Sequence, residues 1–113
     1  MRQGRVFYKD YLAGTITETK DVEYIFQYHE EYVNDHPDKF ISFSMPVANK
    51  PYYDKRLFPF FEGLIPEGWL LDIASESWKI NKNDRMGLLL ACCKNCIGAV
   101  SVTPITEGEG TDA

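Results

Sequence analysis

No apolar run in this chain approaches the ~20 residues that a membrane-spanning helix needs. The first ten residues, MRQGRVFYKD, lack the apolar core of a secretory signal. Cysteine is scarce: there are three, an odd number, and two are adjacent. That argues against a disulfide framework and predicts a cytoplasmic protein with reduced thiols. Positive charge is also scarce, with 12 Lys and Arg against 17 Asp and Glu and a formal net charge of −5. DNA affinity comes largely from phosphate neutralisation by cations, so direct nucleic-acid binding is not expected.

The catalytic signatures are missing as well. The glycines are scattered, and neither G-x-x-x-x-G-K-[ST] nor G-x-G-x-x-G occurs. There is no G-x-S-x-G, no H-E-x-x-H, and no H-R-D-type loop followed by a metal-binding Asp. The expectation is a protein that is not an enzyme, with no catalytic residues, no metal and no cofactor.

What is present fits one domain, since 113 residues can bury a sufficient core without staples. Residues 5–11 and 13–18, rich in Val, Ile, Thr and aromatics, predict two strands around a Lys9-Asp10 turn, with Gly14 marking a bulge. Residues 22–28 alternate, with Tyr24, Phe26 and Tyr28 on one face. A short helical turn or loop follows at 29–34. Ile41, Phe43 and Met45 alternate with serines and predict a fourth strand ending at Pro46; residues 48–56 read as a polar loop. A short helix is expected over 57–64. A second begins at Pro66, which suits a first helical turn, and runs to Trp78 with Leu70, Ile73, Ala74, Ser77 and Trp78 on its core face. A third runs to Cys93, capped by Asn83 or Asp84, and a last strand spans 99–103. The fold class is therefore α+β. Its sheet is mainly antiparallel, with a small barrel as the curled alternative, and the helices fall in the C-terminal half. The folded domain spans 1–105, and 106–113 reads as a disordered polar tail.

Several residues invite a chemical reading. Cys93 and Cys96 form a C-x-x-C, but a zinc site needs four ligands. Cys92 and Cys93 sit in an apolar helix, where core packing is the better account. His29 and His36 flank acids near a turn and read as a solvated loop. Residues 56–74, RLFPFFEGLIPEGWLLDIA, are different. Four aromatics, four Leu, two Ile and two Pro crowd around a P-E-G turn, too much apolar surface for one side of a small core. Trp69 has two readings, a rim-of-core residue or an exposed anchor of the kind enriched in binding hot spots. Glu67 suits the start of a helix, where negative charge complements the macrodipole. Glu62 could serve locally or at an interface.

The segment F-F-E-G-L-I-P-E-G at 60–68, followed by a helix, a second helix and N-C-x-G-A at 95–99, resembles the N-terminal subdomain of HipA-type toxin kinases. The lead-in V-F-Y-x-x-x-L-A-G-T-I-T at 6–17 and S-F-S-M-P-V at 42–47 fit the same pattern. The resemblance covers about 5–105. In that family the kinase machinery lies in later domains, so it implies the fold and its contacts, and not catalysis.

A chain of this size is similar to HipS-like stand-alone homologues found in HipBST-type toxin–antitoxin systems. The resemblance implies an antitoxin that binds and blocks a HipT-like toxin kinase, with a HipB-like DNA-binding protein as a further partner. Met1 and the polar tail lead us to expect a native stand-alone chain. The alternatives are an assembly or co-repressor module of a HipB-containing complex, or an N-terminal fragment of a full HipA kinase. The residues expected to contact the partner are Phe61, Glu62, Leu64, Ile65, Pro66, Glu67 and Trp69.

Overall fold

The computed structural model describes residues 2–93 and 99–105. Cys96 and the predicted tail lie outside them. Strands β1 (Arg2–Tyr8) and β2 (Tyr11–Glu18) form a hairpin closed by Lys9 and Asp10, with Tyr8 opposite Tyr11. Lys9 takes φ 55°, the positive value that two-residue hairpin loops call for. The predicted bulge is present: Val6 faces Gly14 but Phe7 faces Leu12, which leaves Ala13 as the extra residue. Gly14 is required there, because a Cβ would lie 2.3 Å from the Gln27 carbonyl oxygen on the next strand.

Strand β3 (Tyr24–Tyr28) pairs with β2 and buries Tyr24, Phe26 and Tyr28, as its alternation predicts. Helix α1 (Glu30–Asp35) follows, burying Tyr32. Strand β4 (Tyr52–Asp54) pairs with β3, and β5 (Val100–Ile105) pairs with β1. The sheet order is β4-β3-β2-β1-β5, with every pair antiparallel. β4 and β5 are opposite edges, so the sheet is open and the barrel alternative does not hold.

Two sequence expectations are corrected in the middle of the chain. Residues 41–46 form no strand; they make one isolated bridge, Ser42 with Met45, closed by a Met45 N–H to Ser42 carbonyl bond of 3.0 Å. Ile41 and Met45 are buried, but Phe43 between them is 90% exposed, because the chain reverses there. The buried Tyr28 hydroxyl holds the reversal, donating to the Met45 carbonyl at 2.5 Å and accepting from the Ile41 N–H at 3.1 Å. The strand lies instead in the predicted polar loop, where Tyr52 sits opposite Phe26 and Tyr53 opposite Ile25. Aromatic cross-strand partners suffice for a short edge strand.

One face of the sheet carries the core. Val6, Ile16, Phe26 and Val102 are fully buried beneath α2 (Pro59–Glu62) and α4 (Arg85–Cys92). Phe61 of α2 packs on Phe26 with ring centroids 5.6 Å apart. Met86, Leu88 and Leu89 bury α4, and Asp84 caps it by accepting the Gly87 N–H at 3.1 Å. Cys93 is buried, as core packing requires.

Helix α3 (Gly68–Trp78) is the largest departure from expectation. It starts two residues after Pro66, entered through Gly68 at φ +60°, with Glu67 as N-cap. Its predicted core face is not buried. Leu70, Ile73 and Trp78 are 52%, 50% and 59% exposed. The half-buried flank is Leu71, Ala74 and Ser75, which faces α4. The space that α3 was expected to fill is taken by Phe58, Phe61 and Ile65.

Candidate interaction surface

The surface is built from the turn between α2 and α3 and from α3 itself. Pro59 opens α2, where its missing N–H is no loss. Two residues later Phe61 enters the core with no exposure. Glu62 faces the opposite way and is gripped by Arg85, whose Nε lies 3.0 and 3.1 Å from its two oxygens and whose Nη2 lies 3.0 Å from Oε2. The chain then tightens: the Leu64 N–H donates to the Phe61 carbonyl, and the Ile65 N–H to that of Glu62. Ile65 is 3% exposed. Leu64 and Pro66 are half-buried, and the Cys93 thiol donates to the Leu64 carbonyl at 3.3 Å. Glu67 is exposed, extended, and makes no side-chain cap bond.

Of the seven residues singled out in the sequence, the fold therefore brings Leu64, Pro66, Glu67 and the edge of Glu62 to one surface. Phe61 and Ile65 are turned inward, and their side chains are not accessible to a partner in this fold. Trp69 lies in the first turn of α3, and its side chain is outside what the structure describes. Sequence reading missed the exposure of Leu70, Ile73 and Trp78. Helical periodicity was visible there, but it does not say which apolar flank faces in.

The helices around this surface are pinned by charge. Arg2 bridges Glu18 and Asp84, reaching Asp84 at 2.8 and 3.0 Å and Glu18 at 2.6 and 2.8 Å. That contact holds the Asp84 carboxyl below its usual range and raises the guanidinium further. Lys82 pairs with Asp72, and the Ser75 hydroxyl donates to the Ile80 carbonyl.

The other candidates carry less. Among the described residues no three His, Cys, Asp or Glu side chains gather as metal ligands, and no helix is long and apolar enough to cross a membrane. His29 is not a solvated loop residue, as the sequence suggested. Its Nε2 lies 2.8 Å from the Thr15 hydroxyl, and burial lowers its pKa from the ordinary 6.5. His36 packs against Tyr11 and Tyr32. Thr15 and His29 line an open concavity of about 780 Å³ with Gln3, Thr17 and Gln27, on the sheet face away from α2 and α4. Thr15 stands in the middle of two strand pairings, opposite Arg5 and Gln27.

Comparison with known proteins agrees with this geometry. Residues 4–103 match the family model of the HipA N-terminal domain. An uncharacterized protein of Haemophilus influenzae is 30% identical over 102 residues, covering 90% of this chain and 92% of that one. A solved structure, the N-terminal domain of HipA toxin, is 27% identical with a TM-score of 0.72, and the match covers 95% of each chain. The homology is thus to a non-catalytic subdomain, and it marks a HipA-related toxin–antitoxin component. The chain belongs to the HipA N-terminal domain family.

Proposed function

We propose that this chain is an antitoxin-type binding protein, HipS-like, that neutralises a HipA-like Ser/Thr toxin kinase of the HipT type by direct contact in the cytoplasm. The observation that supports it is the match, over residues 4–103, to a domain whose solved relative is the N-terminal part of a toxin. Such a domain contributes contacts and no chemistry of its own. Supplied in trans, it controls its partner by abundance and affinity. The contact we propose is the surface made by Leu64, Pro66 and Glu67, with Trp69 as anchor and Glu62 at the rim. Phe61 and Ile65 act only by holding that surface in shape.

The test is co-expression with the HipA-like kinase encoded in the same genome, scoring growth and co-purification together. Rescue with a stable complex supports neutralisation by binding. Binding without rescue sinks the antitoxin reading and favours an assembly or co-repressor role beside a HipB-like protein. Neither binding nor rescue removes the kinase as partner.

A further inference from the structure

We propose that α3 is a docking ridge that seats in an apolar groove with a basic rim on the partner protein. The inference rests on the binding role proposed above and adds where contact is made and what chemistry receives it. Leu70, Ile73 and Ser77 fall at i, i+3 and i+7, one line along the helix, and all three are exposed. Trp78, at i+7 from Leu71, continues the flank of Leu71, Ala74 and Ser75 to the end of the helix, where it is 59% exposed. Apolar anchors at this spacing are how helices fill grooves. Among the described side chains of α3, only Leu71, Ala74 and Ser75 are half-buried, so much of the described circumference is open to a partner.

Charge defines the rim. Within Gly68–Trp78 there are two acids, Asp72 and Glu76, and no Lys or Arg; Glu67 adds a third acid at the N-cap, and Lys79 a cation at the C-cap. Lys82 offsets Asp72 from outside the helix. Acids beside an apolar line call for Lys or Arg on the partner. Area decides against a second copy of this chain. The helix has 11 residues, so it is about 16 Å long. Laid flat on its twin, it buries far less than the ~1,000 Å² that a stable interface requires. A groove that wraps the helix buries more on the same residues. The helix is also set in advance, since Lys79 closes its C-terminus at φ 53° and Ser75 ties down the Ile80 carbonyl. A preordered helix loses little entropy on docking.

The test titrates the full chain with the HipA-like kinase and compares Ile73→Ser, Trp78→Ala and Glu76→Lys with wild type. Each site is exposed, so thermal melts should match wild type and any binding change is local. Ile73→Ser and Trp78→Ala should each weaken binding about tenfold. Glu76→Lys should weaken it about threefold, with a smaller salt dependence than wild type. Wild-type binding with all three variants unaffected overturns this inference and leaves the proposed function standing. Absence of wild-type binding overturns both. Concentration-dependent self-association of the chain alone, abolished by Ile73→Ser, makes a second copy the occupant and overturns the groove.

Discussion

Arg85 holds both carboxylate oxygens of Glu62, at 3.0 and 3.1 Å, and so fixes the last residue of α2 to the first residue of α4. The turn and α3 lie between these two residues in the chain. The side chains are 29% and 37% exposed, so water screens part of the attraction. The two-point geometry still favours order over a single contact. Arg85→Ala and Glu62→Gln should each cost about 1 kcal/mol or less. The double mutant should cost little more than either single change. Urea denaturation of the four chains checks this; additive losses would show that the two side chains act independently.

His29 and Asp84 both contribute to the response to acid. Burial lowers the His29 pKa from its ordinary 6.5, with Glu31 opposing and Arg5 assisting. Its Arg2 contact lowers that of Asp84 from 3.8. In both cases the unfolded chain takes up the proton more readily than the folded one, so stability is lost as the pH is lowered. The His29 contribution is complete above pH 6.5 and declines below it; the Asp84 contribution is complete above pH 3.8 and declines below that. His29→Gln should flatten the first decline and leave the second, and Asp84→Asn the reverse. Denaturation midpoints measured from neutral to strongly acidic pH distinguish them. A His29→Gln profile that overlays wild type below pH 6.5 would rule out the first assignment.

Gly14→Ala should be among the most damaging single-methyl changes in the sheet. The new Cβ would sit 2.3 Å from the Gln27 carbonyl oxygen and 3.0 Å from the Tyr28 Cα, both backbone atoms that cannot step aside without moving β3. Forced overpacking of this kind costs about 1–3 kcal/mol, and a domain of this size should lose ~4–8 °C of melting temperature per kcal/mol. A thermal melt within a degree of wild type would mean that the bulge relaxes.

The strands were legible because their signals are local. Alternation in β3, the bulge glycine and the Asp84 cap each state their own geometry. The fourth strand was misplaced because residues 41–46 alternate as a strand does, while the Tyr28 hydroxyl, distant in sequence, folds that segment back. β4 was missed because its partner, not its composition, makes it a strand. The site was half legible. Residues 56–74 were recognisably too apolar for a core alone, but which of them face outward depends on Phe58, Phe61 and Ile65 filling the space first. That is a packing outcome, and the spacing of apolar residues does not encode it.

Phe61 and Trp78 separate the core from the proposed contact surface most sharply. Phe61 is fully buried among Phe26, Phe58 and Phe60, and Trp78 is 59% exposed. Phe61→Ala leaves a cavity under the sheet and should cost about 3–5 kcal/mol. That is a large share of the ~5–15 kcal/mol that holds a domain together. Trp78→Ala should change stability by about 0.5 kcal/mol or less. Binding should respond differently. Phe61→Leu, which keeps much of the volume, should bind the kinase almost as wild type does once folding is allowed for, whereas Trp78→Ala should bind weakly while melting normally. Paired melts and titrations of these variants check both halves. If Trp78→Ala lost stability on the scale of Phe61→Ala, α3 would have to pack against the domain more tightly than its exposure allows, and its apolar line would belong to the core.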